Sequence, residues 1–134
     1  MIKKFLLLFA SIIFISTANA DDTIKIQNTA ATIPASGVLY SQPLNLSSFD
    51  GYFSVQTVVT GDGTLSISYE LSNSKTAPYT WSVPVGASAI ATGLTAATYM
   101  HKFEPHCIGY FLRLVYTETG TSDSVTINSN LAGQ

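Results

Sequence analysis

The densest run of chemically capable side chains is His101-Lys102-Phe103-Glu104-Pro105-His106-Cys107. Imidazole, carboxylate and thiol are the donor types that hold zinc, copper or nickel, so His101, Glu104, His106 and Cys107 form a candidate metal set. Their spacing works against a shared ion. On a strand, positions 101 and 106 point to opposite faces, and Pro105 breaks any helix that would realign them. Neither C-x-x-C nor H-x-x-x-H occurs in the chain. The preferred reading of the four residues is structural, and no metal or other cofactor is expected. Cys107 itself has three readings: a buried small hydrophobe, an intermolecular disulfide in an oxidising compartment, or a nucleophile. The last is weakest, because His106 is its immediate neighbour and adjacent side chains diverge on a strand.

A second kind of chemistry is aromatic. Once a leader is removed (below), the sequence keeps Tyr40, Tyr52, Tyr69, Tyr79, Tyr99, Tyr110 and Tyr116 against Phe49, Phe53, Phe103, Phe111 and the single Trp81. A tyrosine-rich set suits surfaces where one end of the ring stays wet. Tyr79, Trp81 and Tyr99 flank loops, which makes them candidates to stack on a sugar ring or to pack at an interface. Core packing is the competing reading. Catalysis has little to stand on: there is no Gly-x-Ser-x-Gly, no His-Glu-x-x-His and no glycine-rich phosphate loop. The chain is expected not to be an enzyme.

The elements that would position these residues read as strands. Phe53, Val55, Thr57 and Val59 share one face, and after Gly61-Asp62-Gly63 the residues Leu65, Ile67, Tyr69 and Leu71 alternate with Ser66, Ser68 and Glu70. Alternation of period two marks half-buried strands, and the glycine-flanked turn predicts a hairpin over residues 51–72. Leu112, Leu114 and Tyr116, then Val125, Ile127 and Leu131, predict a second hairpin over residues 110–131, with residues 118–122 as its turn. Short strands are expected at 23–27, 37–40, around Leu44 and Leu46, and at 79–83 between Pro78 and Pro84. Residues 85–97 show no helical stripe. Some seven or eight short antiparallel strands imply an all-β sandwich, either jelly-roll-like or immunoglobulin-like.

The ends of the chain set its compartment. Residues 1–20 combine Lys3-Lys4, an apolar run from Phe5 to Ile15 and the small-residue end Ala18-Asn19-Ala20, the three parts of a secretory signal peptide. The run is too short to span a bilayer, so no membrane span is expected. Cleavage after Ala20 would release a product secreted to the periplasm or beyond. The expected organisation is a signal peptide (1–20), an N-terminal segment available as a donated strand (21–36) and the sandwich (37–134). The mature chain would hold Lys25, Lys75, Lys102 and Arg113 against Asp21, Asp22, Asp50, Asp62, Glu70, Glu104, Glu118 and Asp123. So few and scattered bases argue against nucleic-acid binding.

The stretches Phe49-Asp50-Gly51-Tyr52-Phe53-Ser54-Val55-Gln56, Val59-Thr60-Gly61-Asp62-Gly63-Thr64 and Tyr69-Glu70-Leu71-Ser72-Asn73 resemble small β-sandwich structural proteins of phage and prophage-like gene clusters. Phe103-Glu104-Pro105, Phe111-Leu112-Arg113-Leu114 and Glu118-Thr119-Gly120 are similar to the closing hairpin of those proteins. The likeness runs over residues 37–134 and consists mainly of strand and turn chemistry. It implies a structural, non-catalytic role, and the leader departs from its pattern. Three function classes follow: a self-assembling or particle-decorating structural protein, a glycan- or small-ligand-binding module, and, least supported, an enzyme. Low charge and abundant Ser and Thr favour the first, with further copies of the chain or another extracellular structural protein as partner.

Overall fold

The computed structural model describes residues 28–106 and 108–133. The expected leader, the strand expected at 23–27 and Cys107 lie outside them. The strands are β1 (Asn28–Ile33), β2 (Val38–Tyr40), β3 (Leu44–Asn45), β4 (Phe53–Gly61), β5 (Leu65–Ser72), β6 (Ala91–Leu94), β7 (Ala97–Phe103), β8 (Phe111–Glu118) and β9 (Val125–Gly133). Among the described residues there is no helix, so none is long and apolar enough to cross a membrane. The fold is all-β, two antiparallel sheets laid face to face.

Strand formation follows the alternation. In β4 the buried positions are Phe53, Val55, Thr57 and Val59, and in β5 they include Leu65, Ile67, Tyr69 and Leu71. These side chains meet Leu112, Leu114 and Tyr116 of β8 and Val125, Ile127 and Leu131 of β9 in one core. Burying such a set is the main favourable term in the fold. One polar pin crosses it. The Tyr116 hydroxyl donates to Ser129 Oγ at 2.7 Å, and Ser129 Oγ lies 2.9 Å from Thr57 Oγ1.

The strand order identifies the topology. One sheet runs β1-β9-β4-β7; the other runs β2-β8-β5-β6, with β3 also on β8. Pairs β1·β9, β2/β3·β8, β4·β7 and β5·β6 are therefore nested, as if one long hairpin had been folded and rolled. That is a jelly roll, with Gln42-Pro43 splitting one edge strand into β2 and β3. An immunoglobulin order does not nest in this way.

Four expectations are corrected. The two predicted hairpins are not hairpins: β4 and β5 lie in different sheets, as do β8 and β9. Each connection is an arch across the core, and the alternation looks the same because both strands still turn one apolar face inward. Residues 79–83 form no strand, only the bridge Leu71↔Ser82. Strands β6 and β7 occupy the stretch from Ala91 onward that the sequence left unassigned. Finally, the sandwich begins before residue 37, because β1 is paired in the same chain with β9 from Asn28↔Ser129 to Ile33↔Val125. Residues 28–33 are thus an integral edge strand rather than a free arm.

Candidate interaction site

Of the candidate metal ligands, His101, Glu104 and His106 fall among the described residues, and they occupy different surroundings. His101 lies on β7 facing inward, where its ring stacks on Tyr99 at 6.0 Å and its Nε2 is buried with no hydrogen-bond partner among the described residues. Glu104 is exposed beyond the end of β7. The backbone N–H of His106 donates to the Tyr69 hydroxyl at 2.7 Å, and the His106 ring lies over Gly86, 3.1 Å from where a Cβ would sit. No group of three potential ligands converges among the described residues.

The three aromatic candidates divide between the sheets. Tyr99 is on β7 of the first sheet, with its hydroxyl bonded to the backbone of Thr95 on both sides, donating to the carbonyl at 3.0 Å and accepting from the amide at 3.2 Å. Tyr79 and Trp81 lie in the 73–90 connection, and both rings rest on outward side chains of β8 in the second sheet, Phe111 and Arg113. Their rings are 5.6 Å apart, and Tyr79 packs on Phe111 at 4.6 Å.

What holds that connection down is Arg113, a residue the sequence reading did not single out. It stands directly across from Glu70 in the β5–β8 register. Its Nη2 and Nε reach Glu70 Oε2 at 2.6 and 2.7 Å. The guanidinium lies between two rings, 4.0 Å from the centre of Tyr40 and 4.6 Å from that of Trp81. A planar, weakly hydrated cation suits this stack, and a lysine would not fill it equally. Trp81 thus commits one ring face to Arg113 and Tyr79 meets Phe111. The signal was present in the sequence as Arg113 alternating with the inward Leu112 and Leu114, but its partners are far away along the chain.

At one end of the sandwich three arches cross between the sheets, and Glu118 ties them together. Its side chain is buried at the end of β8. Oε1 accepts from the amides of Thr64 (3.0 Å) and Gly120 (2.8 Å), and Oε2 from the amide of Ser36 (2.8 Å). The Thr64 amide holds its carboxyl below the ordinary value of 4.5 against the opposing effect of burial, helped by the Ser36 and Gly120 amides. Glycines make the room: a Cβ at Gly63 would sit 2.9 Å from Oε1 and one at Gly120 2.8 Å. Parity along 112, 114 and 116 places 118 on the inward face, which is the signal that points to this residue.

The opposite end carries exposed apolar residues on its loops. Val85 and Ile108 are 93% and 95% exposed, and Ile108 lies between two cavities of about 420 and 560 Å³. The outer face of the first sheet differs again. It presents Ser54, Gln56, Val58 and Thr60 from β4, Thr126, Asn128 and Asn130 from β9, and Thr98, Met100 and Lys102 from β7. Lys102 is the one charge among these residues, and Met100 is 70% exposed. Searches of protein-family models and of curated proteins find no match to the chain.

Proposed function

We propose that the protein is an exported, non-catalytic structural protein that assembles with copies of itself or decorates a larger extracellular particle or filament. The observation that carries this reading is the outer face of the first sheet. Hydroxyl and amide side chains cover it around Met100 and Val58, with Lys102 as its one charge among the described residues. Interface cores are depleted in charged residues and enriched in methionine and aromatics, because an ionised group is costly to dehydrate. The ionisable pair on the other sheet, Glu70 and Arg113, is already mutually satisfied. The likeness to phage-type sandwich proteins points the same way, and the leader at residues 1–20 supplies the route out of the cytoplasm.

A glycan-binding reading keeps only Tyr79 and Trp81, since Tyr99 belongs to the other sheet. The test is expression of the full chain, followed by intact mass and electron microscopy of the exported product. A chain beginning at Asp21 and forming multi-copy particles or filaments is expected. An unprocessed chain retained in the cytoplasm overturns export, and uniform single-sandwich particles overturn assembly.

A further inference from the structure

A β-sandwich has open edges, and each is a template for another strand unless something blunts it. Among the described residues the two sheets have four edges, and three of them are blunted. β1 carries a register break between Asn28 and Ala31, with Ala30 at φ 32°. β2 and β3 are three and two residues long, on either side of Pro43. β6 has four residues, a register shift against β5 and Gly93 at φ 69°. β7 has none of these devices. Its seven residues contain no proline or glycine, and its register on β4 runs unbroken from Phe53↔Phe103 to Val59↔Ala97.

Lysine is the usual guard of an exposed edge, and β7 contains Lys102. Here the ammonium is drawn aside: Nζ lies 5.0 Å from the centre of the Tyr52 ring. The strand is also held straight from within. The Tyr99 hydroxyl is bonded to Thr95, and the Phe103 ring stacks on Phe53 and Tyr69 at 5.5 and 5.6 Å. A strand fixed in this way loses little conformational freedom when it gains a neighbour.

From these observations we infer that β7 is the assembly edge, and that it pairs antiparallel with β7 of a second copy about a two-fold axis at Met100. This rests on the self-assembly reading above and names its contact. In that register Met100 meets its own counterpart and Lys102 lies opposite Thr98. The two ammonium groups are then roughly 13 Å apart along the strands, beyond the screening length at physiological salt. The pairing is therefore self-complementary without opposed charges, as an isologous dimer contact requires. It joins two four-stranded sheets into one of eight strands and makes their hydroxyl- and amide-rich outer faces continuous.

The experiment compares the mature wild-type chain with Met100→Lys and Asn128→Lys by sedimentation, and the melting temperature of each verifies folding. Met100→Lys sets two like charges face to face and weakens association by about tenfold or more. Asn128→Lys adds the same charge mid-sheet on β9 and leaves association unchanged. In a Cys107→Ser background, a short thiol crosslinker joins Met100→Cys chains and fails on Thr98→Cys chains. Association that survives Met100→Lys, or crosslinking absent at position 100, overturns the β7 contact while leaving assembly standing. A wild-type chain that never associates overturns both.

Discussion

At the scale of single residues, the side chains that matter most are not the ones whose types drew attention first. His101, Glu104 and His106 are spread between the inside of β7 and the loop beyond it, whereas Glu118 and Arg113 each hold distant segments together. Glu118 makes a prediction about acid. Its folded value lies below the ordinary 4.5, so its contribution is fully present above that value and is lost as pH falls through the lower folded one. The melting temperature of wild type should therefore drop on acidification below about pH 4.5. Glu118→Gln should melt several degrees lower at neutral pH, because one amide must then face an NH₂ group, and its melting curve should depend less on pH in the acid range. Parallel pH series of thermal melts measure this; equal slopes would mean that the carboxylate is not the tie. Arg113→Lys keeps a charge for Glu70 but loses the planar stack between Tyr40 and Trp81. It should cost about 1 kcal/mol and shift the fluorescence of the only tryptophan to the red as the 73–90 connection loosens. An unchanged emission maximum would show that Arg113 does not hold the loop.

At the scale of elements, alternation was legible and partnership was not. The inward faces of β4, β5, β8 and β9 could be read directly, because Leu65-Ser66-Ile67-Ser68 and similar runs state which side is buried. What such runs cannot state is whether the next strand lies beside or across the core. The Gly61-Asp62-Gly63 turn serves an arch here, with Gly61 at φ 100° and the Gly63 amide bonded to the Ser124 carbonyl of the neighbouring arch. Strand β7 did carry the pattern, with Tyr99, His101 and Phe103 alternating against Thr98, Met100 and Lys102. Its His and Lys residues read as chemistry and hid the period. Conversely, Tyr79-Thr80-Trp81 alternates for a different reason: its rings alternate onto Phe111 and Arg113 while the chain crosses outside the sheet. Ile33 is almost completely buried, so Ile33→Ala should destabilise the fold by about 2–5 kcal/mol in chemical denaturation. A loss below about 0.5 kcal/mol would fit a dispensable arm instead.

At the scale of the whole molecule, the jelly roll is a scaffold that different functions share, so the fold alone assigns none. The distribution of charge and edge over that scaffold is what argues for assembly. One end is closed by Glu118 and its three amides, one face is covered by the Arg113 stack, and three edges are broken or short. These features leave β7 and the hydroxyl- and amide-rich face beside it as the surface suited to a neighbour. The shortage of charge was visible in composition. Its location was not, because the face is assembled from β4, β7 and β9, which are far apart along the chain. The most direct test is light scattering on the exported product, over a wide range of concentration at physiological salt. A mass that rises with concentration to dimers and larger multiples of the chain is expected. A single-chain mass at every concentration would contradict assembly.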